Sequence, residues 1–262
     1  MSDIKNAVRD TYARIAVAGT SEAGCCAPSC CSVQPAASSA EEASKRLGYT
    51  AADVTEVPEG SNLGLGCGNP QVIAALKPGE TVLDLGSGAG FDCFLAAKQV
   101  GSAGKVIGVD MTPEMLTRAR ENATKTGTNN VEFRLGEIER LPVADRSVDV
   151  IISNCVINLS PDKAAVYGEA FRVLKPGGRV AISDVVSTAP LPDDIRDDVA
   201  MLTGCVAGAS TIGDLASILA EAGFEDIQIR PLYESRFVIS EWRPGSSLGD
   251  YIMSATVEAR RP

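Results

Sequence analysis

Short apolar runs alternating with stretches of helical spacing dominate the chain from Glu80 onward. The runs Thr81–Leu85, Lys105–Asp110, Val131–Leu135, Val148–Ser153 and Arg179–Val185 are rich in Val, Ile and Leu, which is how strands covered on both faces read. Between them, Gly90–Gln99, Thr112–Thr126 and Ser160–Leu174 have the spacing of helices. Thr112-Pro113 and Ser160-Pro161 each place a hydroxyl that can accept a backbone N–H before a proline suited to the first helical position. Val166, Ala170, Val173 and Leu174 share one face, and Lys175-Pro176-Gly177-Gly178 ends that helix before the next strand, completing a βαβ crossover. Farther on, Ser187–Ala209 is rich in Pro, Asp and small residues. A helix is expected at Thr211–Ala222, closed by Gly223, then strands at Asp226–Arg230 and Ile252–Ala259. The stretch Ser235–Pro262, with Trp242, is expected to be a sheet edge and its covering loop. At the front, Ile4, Val8, Tyr12 and Ile15 have helical spacing, whereas Gly24–Ala40 is small, Cys/Ser/Ala/Pro-rich and reads as a linker or mobile arm. The expected division is a helix and Cys-rich arm over 1–58 and one main domain over 59–262, with 187–210 covering its substrate.

At 262 residues and 45% hydrophobic, the chain can bury one substantial core. The balance of 24 basic against 34 acidic residues, net −10 with no histidine, argues against nucleic acid or anionic membrane as a partner. A small-molecule substrate fits better. The N-terminus lacks the apolar core of a signal peptide, and no run approaches the roughly 18 apolar residues of a membrane span, so a cytoplasmic location is expected. In that reducing setting the eight cysteines are thiols, available for ligation or redox chemistry.

Asp84-Leu85-Gly86-Ser87-Gly88-Ala89-Gly90 follows an apolar strand and opens a helix, where glycines let the backbone turn sharply and approach a ligand. The second strand ends in Asp110, placed to bond ribose hydroxyls; together these features indicate an adenosine-type cofactor. The loop reads G-x-G-x-G and has an acidic entry, which suits a cationic ligand end better than a pyrophosphate. This pattern resembles the class I S-adenosylmethionine-dependent methyltransferases. The resemblance implies a Rossmann-like α/β fold, a mostly parallel seven-stranded sheet with helices on both faces, and S-adenosylmethionine as cofactor. It further implies that Asp84, Gly86, Ser87 and Gly88 line the cofactor, that Asp110 holds the ribose and that Met111 packs on the adenine. Glu137 and Ile138 would lie beside the base, with Asn154 on the fourth strand.

Three cysteines from distant stretches can converge over such a cofactor's methyl group: Cys67 in Gly66-Cys67-Gly68-Asn69-Pro70, Cys155 at the end of the fourth strand, and Cys205 in a Gly/Ala-rich segment. Cys93, on the helix after the glycine loop, reads as core packing. Cys25-Cys26 and Cys30-Cys31 are two vicinal pairs whose spacing is not that of a zinc ribbon or finger; they read as soft-ion ligands or as a thiol-rich arm. With the Gly-Cys-Gly loop, the run Asn154-Cys155-Val156-Ile157-Asn158-Leu159 and Gly204-Cys205, the chain resembles the arsenite methyltransferase family from about Asn62 to Thr211. That resemblance implies that Cys155 and Cys205 hold trivalent arsenic, with Cys67 supplying a further thiolate or joining an N-terminal cysteine, Cys30 or Cys31, in disulfide chemistry. It implies arsenite or thiol-bound arsenic as substrate and an external thiol reductant of the thioredoxin or glutathione type; a monomer is expected. Methyl transfer to an arsenic lone pair releases no proton, so the absence of histidine is no obstacle. The alternatives are a carbon or oxygen methyltransferase of a small metabolite such as a quinone, or a metalloid-binding protein without turnover. The complete cofactor motif speaks against the last.

Overall fold

Continuous runs of Val, Ile and Leu can be buried only if helices cover both faces of the sheet they form. A computed structural model, which describes residues 2–18, 39–196, 201, 204–242 and 248–262, has this arrangement. Helices α1 (Ser2–Ala18), α2 (Ala40–Arg46), α3 (Ala51–Thr55) and α4 (Pro70–Ala74) precede the alternating body. That body runs β1 (Thr81–Leu85), α5 (Phe91–Val100), β2 (Lys105–Asp110), α6 (Pro113–Thr126), β3 (Val131–Leu135), β4 (Val148–Asn154), α7 (Lys163–Val173) and β5 (Leu174–Ser187). It closes with α8 (Asp193–Arg196), α9 (Ile212–Glu221), β6 (Glu225–Leu232), α10 (Ser235–Trp242), α11 (Leu248–Tyr251) and β7 (Ile252–Arg260).

The seven strands lie in the order β3-β2-β1-β4-β5-β7-β6, with β7 antiparallel to both neighbours and the rest parallel. The core on one face packs α7 and α9 against the sheet through Tyr167, Val173, Leu215 and Leu219; the other packs Phe94, Ala97, Leu116 and Ala119 of α5 and α6. Strand order reverses between β1 and β4. The crevice for a ligand opens at the carboxyl ends of such a pair, and the register Leu85↔Ser153 sets the glycine loop beside Asn154.

Four local expectations change. Thr112 occupies the N-cap position of α6, but its hydroxyl makes no cap bond and turns to the Asp110 carboxylate instead. Helix α7 starts after Asp162, whose Oδ1 accepts the Ala165 N–H at 2.9 Å; the Ser160 hydroxyl accepts the Asp162 N–H at 3.1 Å and donates to Glu139 at 2.6 Å, so it holds the turn ahead of the helix and does not cap it. The C-terminal stretch is not an edge. Strand β7, buried along most of its length, inserts between β5 and β6, while β6 alternates exposed and half-buried positions and forms the edge. Lys175–Gly178 belongs to β5 as an irregularity, because the pairing jumps from Val148↔Leu174 to Val150↔Arg179.

Candidate active site

The glycine loop wraps the end of β2. Gly86 and Ser87 both donate N–H bonds to the Val109 carbonyl, at 2.8 and 3.0 Å, and Gly88 donates to Asp110 Oδ2 at 2.9 Å. Gly86 is required twice over: its φ is +71°, and a Cβ there would stand 2.6 Å from Val156 Cγ1. Asp110 Oδ1 accepts from the Thr112 N–H at 2.8 Å, which fixes the carboxylate at the mouth of the crevice. Beyond it lies a cleft of about 330 Å³ lined by Met111, Pro113, Leu135, Gly136 and Glu137, with Arg9 of α1 on its outer side. Ser87 Oγ is buried with no hydrogen-bond partner among the described residues. An orphaned hydroxyl, a backbone cradle and a carboxylate beside an apolar cleft fit an adenosyl cofactor.

Asp84 lies buried beneath the loop and accepts a hydrogen bond from the Cys93 thiol at 3.2 Å. Burial and the neighbouring Asp92 push its carboxyl well above the ordinary range, and burial likewise raises Asp92 and Asp110. Three acidic groups under one loop favour a cationic ligand end. Cys93 is a packing residue, as its sequence context implies, with this one bond in addition. Glu137 faces the cleft, and Ile138 packs against the main core.

The thiols meet one strand farther across. Register Asn154↔Ser183 carries Cys155 alongside β5, where its N–H donates to the Ser183 carbonyl at 2.8 Å. The Cys67 loop is held against the same place from three sides. Its N–H donates to Asn154 Oδ1 at 3.1 Å, its carbonyl accepts from the Ser254 hydroxyl at 2.8 Å, and its thiol points to the Ser183 carbonyl at 3.7 Å. The Cys205 thiol donates to the Cys155 carbonyl at 2.6 Å. Cys67, Cys155 and Cys205 are 3%, 8% and 3% exposed, and all are reduced thiols within one apolar cluster. Cys155 and Cys205 both have left-handed backbone, φ +58° and +65°, which L residues adopt at a cost and which concentrates at functional sites.

Asp184, which the sequence reading did not single out, completes the group: the sulfurs of Cys67 and Cys155 and a carboxylate oxygen of Asp184 lie within 4.8 Å of one another. Its Oδ1 accepts from Asn158 Nδ2 at 2.9 Å and the Val185 N–H at 2.8 Å. Its Oδ2 accepts from the Ile157 and Asn158 N–H groups at 3.0 and 3.4 Å. With both oxygens engaged, Asp184 shapes the turn after Cys155. Burial raises its pKa to about 6 against the pull of those donors and of Lys163. The Cys155 thiol is favoured as thiolate by Cys205, but the Cys67 contact, burial and the Asp184 charge outweigh this and push it well up. Contact with Cys155 and burial push Cys205 up as well. These are protonated thiols poised for a soft electrophile.

Asn154 joins the two halves. Its amide donates to the Gly68 carbonyl at 2.8 Å and to the Tyr49 hydroxyl at 3.0 Å, and Tyr49 donates to Asp92 at 2.9 Å. Tyr49 was also missed from sequence. Neither Asp184, which lies inside β5, nor Tyr49 carries a local sequence signal for its place in the site. Cys25, Cys26, Cys30 and Cys31 lie outside the described residues.

A family profile described as a methyltransferase domain matches residues 76–223. The chain is 58% identical to an arsenite methyltransferase of Halobacterium salinarum over 269 residues, 99% of this chain and 67% of the relative. It is 47% identical to one from Aquipseudomonas alcaligenes over 176 residues, 64% of this chain; it thus spans only half of that relative's length. Among solved structures, an arsenic (III) S-adenosylmethionine methyltransferase from Chlamydomonas reinhardtii superimposes with a TM-score of 0.64 at 36% identity, covering 84% of this chain and 73% of that one. With 58% identity over nearly its own whole length to one such enzyme, the chain belongs to the arsenite methyltransferase family.

Proposed function

We propose that the protein transfers methyl groups from S-adenosylmethionine to trivalent arsenic held by Cys155, Cys205 and Cys67, in arsenic detoxification. The observation that carries this reading is the convergence of those three thiols, from three separate loops, beside the cofactor crevice. Asp110 is suited to the ribose, Ser87 and Gly88 to the polar part of the cofactor, and Met111 and Glu137 to the base. Bound S-adenosylmethionine supplies an electrophilic methyl group. The chain's work is to present the nucleophile in line with it, which is catalysis by proximity and orientation.

Thiols suit the task because arsenic(III) is soft. Each thiol that replaces a hydroxyl of arsenous acid gives its proton to the departing water, so binding needs no separate base. Arsenic held by three sulfurs keeps a lone pair directed at the crevice. The raised thiol pKa values match this substitution chemistry, in which the proton leaves only as the As–S bond forms. Methylation through the lone pair yields pentavalent arsenic, and a further round needs two electrons. Cys67 with Cys30 or Cys31 would supply them by forming a disulfide, which an external dithiol of the thioredoxin or glutathione type reduces. A reducing, cytoplasmic setting follows from that dependence.

The test is arsenic speciation after incubation with arsenite, S-adenosylmethionine and excess thiol. Methylated arsenic from the wild type and none from Cys155→Ser or Cys205→Ser is the expected outcome. No methylated arsenic despite intact cofactor binding would move the function to methylation of a small metabolite.

A further inference from the structure

The N-terminal helix α1 lies outside the methyltransferase-domain match, yet it touches both halves of the site. Near its start, Lys5 pairs with Glu137 at 2.7 Å and Glu139 at 3.1 Å, and Arg9 pairs with Glu137 at 3.6 Å. At its end, Arg118 Nη1 donates to the Ala16 carbonyl at 2.7 Å. Ile15 and Ala16 pack with Ala89 of the glycine loop and with Met115, and Val8, 1% exposed, enters the cluster that contains Cys67, Cys155 and Cys205. Tyr12 stands between these anchors, one turn after Val8, and packs against both clusters.

We propose that Tyr12 is a positioning residue of the substrate site, its ring roofing the three-cysteine cluster and its hydroxyl donating a hydrogen bond to the Cys205 sulfur. The geometry supports the role. Cys205 spends its own S–H on the Cys155 carbonyl at 2.6 Å, so its lone pairs face the remaining neighbours, and the Tyr12 hydroxyl is one of them. When arsenic displaces the thiol proton, Cys205 loses its own donor and its sulfur can only accept, so the donation from Tyr12 persists. The sulfur is thereby held while its backbone sits at φ +65°. The aromatic ring, with Val8 and Met201, closes the apolar wall over the metalloid. Because Lys5 and Arg9 fix the same helix at the cleft expected to take the adenine, α1 ties the roof of the thiol site to the rim of the cofactor site.

This inference rests on the proposed function, and the experiment separates the two. The full chain as wild type, Tyr12→Phe and Tyr12→Ala is titrated with arsenite, with phenylarsine oxide as a trivalent thiol probe, and with S-adenosylmethionine; KM and kcat are measured alongside. Tyr12→Phe keeps the ring and loses the hydroxyl. It should raise the arsenite Kd and KM about tenfold, while the S-adenosylmethionine Kd and the melting temperature stay at their wild-type values. Tyr12→Ala should weaken arsenite further and lower kcat. Arsenite affinity and KM equal to wild type in Tyr12→Phe would overturn the inference. Equal losses of arsenite and cofactor affinity would overturn it too, by reducing Tyr12 to a packing residue of α1. Failure of the wild type to bind either arsenical would sink the proposed function itself before any variant is compared.

Discussion

Cys155 and Cys205 sit where an L side chain costs about 1–2 kcal/mol, and each is held there by bonds its neighbours have already committed. The Cys155 N–H is fixed on Ser183 and its carbonyl on the Cys205 thiol, while Asp184 grips the Ile157 and Asn158 amides. The strained backbone turns the sulfurs toward one another instead of along the strand. Glycine would relieve that strain, at an entropic cost of about 0.4–1 kcal/mol in the unfolded chain. Cys155→Gly and Cys205→Gly should therefore be as stable as the matching Ala variants, or up to about 1 kcal/mol more stable, with neither methylating arsenic. Urea denaturation under reducing conditions measures this, and clearly more stable Ala variants would show that the conformation is not strained. At this scale the cysteines were legible in the sequence because Cys67 and Cys205 have glycine neighbours and little to pack against, and Cys155 ends a buried strand. Asp184 was not, since its role arises from the loop that closes over it.

At the scale of elements, the strand–loop–helix unit β1–α5 matched its expected place to within a residue, because the apolar run and the glycines mark both of its ends. Gly86 is the tightest point of that unit, between a positive φ and the Val156 side chain. Gly86→Ala should lose about 2–4 kcal/mol from strain and overpacking together and should abolish S-adenosylmethionine binding. Adding Val156→Ala should recover the steric part of the stability and leave the backbone part, a split that calorimetry and thermal melts can read. Helix α7 shows how a capping motif misleads: Ser160-Pro161 has the right composition, but the Ser160 hydroxyl takes the Asp162 N–H in the preceding turn and binds Glu139, and Asp162 is the residue that caps the helix. Helix α1 shows the reverse. Its apolar spacing was visible, but not that Val8 and Tyr12 would face the cysteines.

For the whole molecule, net charge and buried carboxylates act in the same direction. Asp84, Asp92, Asp110 and Asp184 all have pKa values raised by burial, Asp184 to about 6 from an ordinary 3.8. An acid that holds its proton more tightly when folded stabilises the fold below its unfolded pKa and loses that contribution as pH rises through the folded value. For Asp184 the full effect is about 3 kcal/mol, with about 1 kcal/mol left at pH 5.5 and almost none at pH 8. Acidification also relieves the self-repulsion of a chain at net −10. Glu132, lowered to about 2 by Arg134 and Lys105, opposes the trend only below the ordinary range of glutamate. The apo protein should therefore resist urea better at pH 5.5 than at pH 8, in contrast to proteins whose carboxylates are mainly ion-paired; the opposite order would mean that these acids are already ionised at pH 5.5 in the folded state. By itself the sequence determined the alternating α/β order, the glycine loop with Asp110, and the identity of the three thiols, because local periodicity, turn chemistry and residue type are written along the chain. Only the tertiary structure decided that β7 lies inside the sheet, that Asn154 ties Tyr49 to the Cys67 loop, and that Asp184 and Tyr12 belong with the cysteines. These depend on strand register and on contacts between residues up to about two hundred positions apart, such as the Ser254 bond to Cys67, and no local pattern encodes a distance of that kind.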